Sequence, residues 1–224
     1  MYLPKPFVAR GSRVLRCRSC LLAAHVCICD FKTSYQSAAQ FFLLMHHNEA
    51  FKPTNTGRLI EDCIADTRRF EWSRTEPSDA LISAITDESI DPYIVFPEGE
   101  GYEGRMVDYV PKAGKRPVFI LLDGTWRQAR RMFRLSRYLD YLPVIQPSVV
   151  VSSSYHLRKA AVDGQLCTAE VAALMLRQVG DDIGANVLSA YYSIFNDHYK
   201  AARLSRPLDD QSAAKLFLRG LTTD

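Results

Sequence analysis

Asp123 stands where a short apolar run, Phe119-Ile120-Leu121-Leu122, gives way through Gly124 and Thr125 to a long helix-compatible segment that starts at Trp126. A buried strand that ends this way delivers a carboxylate to the rim of an α/β sheet, where such sheets bind their ligands. The segment beyond it carries a second chemical feature. Placed about 100° apart round a helix axis, Arg127, Arg130, Arg131, Arg134 and Arg137 crowd into an arc of roughly 120°. Trp126, Ala129, Met132 and Phe133 fall on the neighbouring inward arc. A run of charge is usually a solvated face, but no Asp or Glu lies within Arg127 to Arg137 to relieve the repulsion at i+3 or i+4. A self-repelling cationic stripe beside a carboxylate turn points to a polyanion that docks where chemistry occurs.

Four of the six cysteines lie in the first 33 residues, as Cys17-x-x-Cys20, six residues, then Cys27-x-Cys29. Two close cysteine pairs in a short basic segment can wrap tetrahedrally round one Zn²⁺. The segment has no apolar period of its own, and a metal holds small modules that lack a core. The alternative is four unconnected thiols. His25 lies between the pairs, but four sulfurs already fill the shell, which leaves no open position and makes the zinc structural. Arg10, Arg13, Arg16 and Arg18 surround the cluster and suit phosphate contact.

The elements that must position these groups follow from pattern. Ala39 to His46 reads as a buried strand that opens into His46-His47-Asn48-Glu49. A helix follows Pro53-Thr54-Asn55-Thr56-Gly57, with Thr54, Asn55 or Thr56 as its cap, and a helix start after a strand end suits an anion. Ser78 to Ile85 reads as a helix, and Tyr93 to Phe96 as a strand leading into Pro97-Glu98-Gly99-Glu100-Gly101. Val144, Ile145 and Val149 to Val151 read as a further strand. Tyr155-His156-Leu157-Arg158-Lys159 is cationic with an aromatic beside it, suited to phosphate and base. Leu166-Cys167-Thr168 then enters a helix with Thr168 as cap and Cys167 as a small buried residue. Ile183 to Arg203 is an aromatic helix with Val187, Tyr191, Phe195 and Tyr199 in the core. Strands alternating with helices predict a parallel α/β sheet, and four loops, at 46–56, 96–101, 122–126 and 166–170, can converge on one crevice.

Composition sets the limits. With 224 residues, 47% hydrophobic and 24% charged, the chain can bury a real core, and a net charge of only +3 requires any nucleic-acid site to come from clustering. The N-terminus has no apolar signal region and no apolar run is long enough to span a bilayer, so a cytoplasmic protein without membrane contact is expected. In that compartment cysteines serve metal or packing before disulfides. The expected division is a four-cysteine zinc module at 1–33 and a main domain at 34–224.

The residues also resemble a family. Asp123-Gly124-Thr125-Trp126, with Gln128, Ala129 and Met132 behind it, is similar to the signature of the DTW-domain proteins, the tRNA-uridine aminocarboxypropyltransferases. The resemblance is supported by His47-x-Glu49 with Thr54-Asn55-Thr56-Gly57, by Phe96-Pro97-x-Gly99 and by Leu166-Cys167-Thr168-x-Glu170. It covers most of the chain after about residue 35, and bacterial members carry the four-cysteine prelude as well. It implies a SPOUT-like parallel sheet flanked by helices, with a C-terminal trefoil knot that general connection rules disfavour. It implies S-adenosylmethionine as donor and transfer of its 3-amino-3-carboxypropyl group to N3 of a tRNA uridine, in the variable loop, with methylthioadenosine released.

The implied site follows the motifs. Asp123, Thr125 and Trp126 are the catalytic candidates. Thr54, Asn55, Thr56, Phe96, Pro97, Glu98, Gly99, Leu122, Asp123, Gly124, Leu166, Cys167 and Thr168 are candidates for the donor pocket. Arg127, Arg130, Arg131, Arg134, Arg137, Arg158 and Lys159 are candidates for RNA, and Cys17, Cys20, Cys27 and Cys29 for zinc. Uridine N3 keeps its proton near neutral pH, so the attack needs an acceptor, and Asp123 is that acceptor as a general base or else a cap or ligand-orienting carboxylate. Trp126 closes the pocket or packs beneath its helix. A SPOUT-type RNA methyltransferase and a non-catalytic zinc-containing RNA-binding protein are the competing readings; a monomer is favoured over a dimer.

Overall fold

β1 (Gln40–Met45) and β4 (Arg116–Asp123) are nearly continuous apolar runs because both faces of each strand are covered. They form the centre of a five-stranded sheet in the computed structural model, which describes residues 14–47, 49–148 and 166–221. The other elements are α1 (Gly57–Cys63), β2 (Arg68–Glu71), α2 (Asp79–Ile85), β3 (Ile90–Val95), α3 (Trp126–Leu135), β5 (Val144–Ile145), α4 (Thr168–Gln178), α5 (Asp182–Leu204) and α6 (Ala213–Leu221). The order across the sheet is β2-β1-β4-β3-β5, with every pair parallel. The parallel sheet flanked by helices is therefore as the sequence implies.

β1 and β4 run side by side from Gln40 opposite Val118 to Met45 opposite Asp123. The chain leaving β1 goes to β2 on one side, and the chain leaving β4 goes to β5 on the other. Their carboxyl ends are thus a topological switch point, where a crevice opens above an α/β sheet. Alternation along the strands sorts the core into two. Phe41, Leu43, Tyr93, Phe119 and Leu121 pack with α1, α4, α5 and the four-cysteine segment. Phe42, Leu44, Ile94, Ile120 and Leu122 pack with α2 and α3.

Several boundaries have local causes. Ser78 caps α2 by accepting from the Leu81 amide, and Thr125 caps α3 in a reciprocal capping box with Gln128. α3 stops at Leu135, so Arg137 falls outside it, in a short 3-10 turn, Arg137–Leu139. The aromatic helix extends over Asp182–Leu204, capped by Asp181. The Leu166–Thr168 reading needs correction at its cap. Cys167 is the N-cap of α4, boxed with Glu170, and Thr168 is the first helical residue. Two elements have no counterpart in the sequence reading: β2, an edge strand with only Phe70 buried, and α6. The expected strand at Val149 to Val151 and the segment Tyr155 to Lys159, with Arg158 and Lys159, lie outside the described residues. So does much of the passage between β5 and α4 on which the expected knot depends.

Candidate functional site

Asp123 is the last residue of β4 and points to the α1 and α4 side, as the alternation from Phe119 and Leu121 requires. It is 2% exposed. One carboxylate oxygen accepts from Asn55 Nδ2 at 2.6 Å, and the other accepts from the Thr168 hydroxyl at 2.7 Å. Its carbonyl accepts from the His46 amide at 3.0 Å. One residue therefore ties together the loop after β1, the end of β4 and the start of α4.

The loop after β1 is built for this. Successive turns, in which Glu49 bonds back to His46, Lys52 to Glu49 and Asn55 to Lys52, fold it back over the strand end. Glu49 is fully buried and ion-paired with Lys52. Asn55 uses both ends of its amide: Nδ2 on Asp123, and Oδ1 accepting from the Arg58 amide at 3.0 Å. Of the three candidate caps, Asn55 is the one whose side chain caps α1; Thr56 stands at the N-cap position without such a bond. Gly57 is required by close approach. A Cβ there would lie 2.5 Å from an Asp123 carboxylate oxygen.

The candidate donor-pocket residues divide. Asn55, Thr56, Leu122, Asp123, Gly124, Cys167 and Thr168 lie at or beside the carboxylate, with Thr54 and Leu166 next to them in the chain. Burial pushes the Cys167 thiol up to about 12, so it stays protonated and acts as packing and cap. The loop Phe96 to Gly99 is joined to this region by aromatic packing. Phe96 stacks on Phe133 of α3 with centroids 4.3 Å apart, and Trp126 lies 6.5 Å from Phe96. Pro97 and Glu98 are exposed, and the Pro97 carbonyl accepts from the Tyr102 hydroxyl. Trp126 is half-buried beside Phe96 of the β3 loop.

Arg127, Arg130, Arg131 and Arg134 are exposed on α3, and among the described residues no ion pair joins any of them to an acid. Arg137 is the exception, for Asp140 lies just beyond the turn and pairs with it at 3.1 Å. The stripe borders the strand ends on both sides. Arg131 acts electrostatically on His46 in the β1 loop, and Arg130 on Tyr102 in the β3 loop. The His46 ring stacks on Trp72 at 5.8 Å and lies 4.5 Å from His47. Burial, seconded by the charge of His47, holds His46 below its ordinary value.

The four cysteines do converge. Their sulfurs all lie within 4.8 Å of one another, with Cys17 to Cys29 at 3.6 Å and Cys20 to Cys27 at 3.8 Å. Tetrahedral zinc with Zn–S bonds of about 2.3 Å sets sulfurs about 3.8 Å apart, so the residues fit that ion. Backbone amides of Cys20 and Ser19 lower the Cys17 thiol to about 6, while burial raises Cys27 to about 12. Four thiolates this close need a cation between them.

The family model described as the DTW domain matches residues 14–200, which includes the four cysteines. A tRNA-uridine aminocarboxypropyltransferase 2 from Macaca fascicularis is 25% identical over 179 residues, covering 75% of this chain and 58% of the relative. The protein of the same name from Mus musculus is 23% identical over 175 residues, with coverage of 75% and 58%. The chain thus spans a little over half the length of the curated relatives it matches. No solved structure matches.

Proposed function

The chain belongs to the DTW family, and from that premise we propose that it transfers the 3-amino-3-carboxypropyl group of S-adenosylmethionine to N3 of a tRNA uridine in the variable loop. The observation that carries the reading is the Asp123 node: a buried carboxylate at the β1/β4 switch point, fixed by Asn55 and Thr168, with the Arg127–Arg134 stripe starting one turn away.

In the transfer, N3 forms a bond to the donor's γ-carbon, the sulfur takes the electron pair of the bond that breaks, and methylthioadenosine leaves uncharged. The N3 proton must go to an acceptor. A carboxylate offers about four lone-pair sites, and Asn55 and Thr168 aim those of Asp123 so that it can receive that proton or hold the group that does. A sulfonium has three carbons open to attack, and a pocket selects one by position. Leu122, Gly124, Leu166 and Cys167 shape that pocket beside the node, Thr125 locks the turn through its capping box, and Trp126 with Phe96 forms the wall. Arg127, Arg130, Arg131 and Arg134 neutralise tRNA phosphates, and the uridine leaves its stack to react.

Zinc on Cys17, Cys20, Cys27 and Cys29 supplies a closed structural cross-link, consistent with no open coordination position. A SPOUT-like knotted fold, a monomeric state and a cytoplasmic setting belong to the same proposal. Among the described residues, no helix is long and apolar enough to cross a membrane. The test is incubation of purified protein with unmodified tRNA and S-adenosylmethionine, followed by nucleoside mass spectrometry. A uridine heavier by the aminocarboxypropyl group is expected. A gain of one methyl would mean a methyltransferase, and an unchanged nucleoside would leave a non-catalytic RNA-binding protein.

A further inference from the structure

Arg58 stands in the first turn of α1, next to the node but outside it, and its guanidinium is used in an unusual way. Nη1 donates to the Cys20 carbonyl at 3.0 Å, and Nη2 donates to the Lys52 carbonyl at 2.9 Å. Its backbone amide meanwhile donates to Asn55 Oδ1, and Asn55 Nδ2 donates to Asp123. A single residue thus spans from the backbone of a cysteine-cluster residue to the amide that aims the carboxylate. The receiving end is held in a conformation that needs support: Leu21, directly after Cys20, has φ of 59°, a left-handed value that a leucine keeps only where its surroundings fix it. The Cys17 amide bonded to the Leu22 carbonyl, and the Leu21 amide bonded to the Cys17 carbonyl, close that turn.

A second tether joins the cysteine segment to α1 without touching the node. Lys32 pairs with Asp62, which also accepts from the Tyr191 hydroxyl at 3.0 Å. This tether lies toward the far end of α1, so the two can be separated by mutation.

We propose that Arg58 is a positioning residue that couples the order of the four-cysteine site to the direction of the Asp123 carboxylate. The fork fixes the Lys52 carbonyl, to which the Asn55 amide also donates, so loss of the fork frees the loop that aims Asp123. Removing metal releases the Cys20 turn and acts on the same loop through the same fork. The coupling rests on the functional reading only in treating Asp123 as the place of chemistry.

The experiment is hydrogen exchange by mass spectrometry on the full-length, zinc-verified protein, with S-adenosylmethionine affinity measured in the same preparations. Arg58→Ala is expected to keep its zinc while peptides covering 49–60 exchange about tenfold faster, in the range of local loop opening. Its dissociation constant for S-adenosylmethionine should rise about tenfold, the order of a lost supporting contact. Lys32→Ala should loosen 14–33 and leave 49–60 as in the wild type. A chelator should accelerate 49–60 in the wild type and add nothing further in Arg58→Ala. Wild-type exchange at 49–60 in Arg58→Ala would overturn the proposal, as would equal loosening of that loop by Lys32→Ala. If Arg58→Ala fails to fold, Arg58→Lys decides, since one ammonium cannot serve both carbonyls as a fork does: faster exchange at 49–60 supports the coupling and unchanged exchange refutes it. Should no protein, wild type included, bind S-adenosylmethionine, the functional reading falls while the exchange data still decide the coupling.

Discussion

The two faces of the sheet are covered very differently. On one, α1, α4, α5, α6 and the four-cysteine segment make a thick layer with paired polar groups set inside it: Asp62 with Lys32 and Tyr191, Asp181 with Tyr35, and His198 on the Val26 carbonyl. On the other, α2 and α3 make a thin layer whose outer surface is the arginine stripe and whose end is the Phe96, Tyr102, Trp126 and Phe133 cluster. Asp123 sits on the seam. Its carboxylate accepts from Asn55 and Thr168 on the thick-face side, while the residues after it launch the thin-face helix. The difference teaches that fixing and handling are separated under the proposed function: one layer holds the carboxylate still, and the arginine face of the other is the surface proposed for tRNA.

The comparison breaks most visibly if each layer is disabled alone. Phe195→Ala hollows the thick layer at a residue 1% exposed and should cost about 3–5 kcal/mol of stability, read by denaturant unfolding. The remaining folded fraction should still bind tRNA. Gly57→Ala attacks the seam. Its Cβ would stand 2.5 Å from Asp123, and displacing the carboxylate should slow transfer about 100-fold. The melting temperature should change far less than for Phe195→Ala.

The double change Arg130→Ala and Arg131→Ala tests the thin face. It should weaken tRNA binding about tenfold and reduce the salt slope by about two, with S-adenosylmethionine affinity unchanged. The smallest effect expected is from pH. His198 is 3% exposed, and burial, with Lys215 adding to it, holds its pKa below the ordinary 6.5. The unfolded chain therefore binds the proton first as pH falls. Stability from this residue is whole above pH 6.5 and declines below it. His198→Gln should flatten part of that decline, measured as melting temperature between roughly pH 7 and 5.

The seam was partly legible in the sequence. β1 and β4 announce themselves as apolar runs too short for buried helices, and Thr125 with Gln128 is a readable capping box. The cysteine spacing likewise gave its cluster, because a ligand set close in sequence needs little tertiary information. What pattern does not carry is pairing at a distance. Thr168 looked like a cap for its own helix, whereas Cys167 takes that place and frees the hydroxyl for a carboxylate 45 residues earlier. Gly57 at the first position of α1 was the available signal of close approach, since capping alone does not call for glycine there. β2 escaped because an edge strand with one buried residue has no period to read. Arg58 was indistinguishable in sequence from any solvated arginine, and Arg137 lost its place in the stripe to Asp140 just past the helix end.

The most direct measurement is the single-turnover rate of group transfer to tRNA by Asp123→Asn beside the wild type, with melting temperatures of both. The amide keeps the size of the carboxyl but cannot accept at both positions from Asn55 and Thr168. The rate should fall by about a thousandfold or more while the protein stays folded. An equal rate in the two proteins would contradict the account.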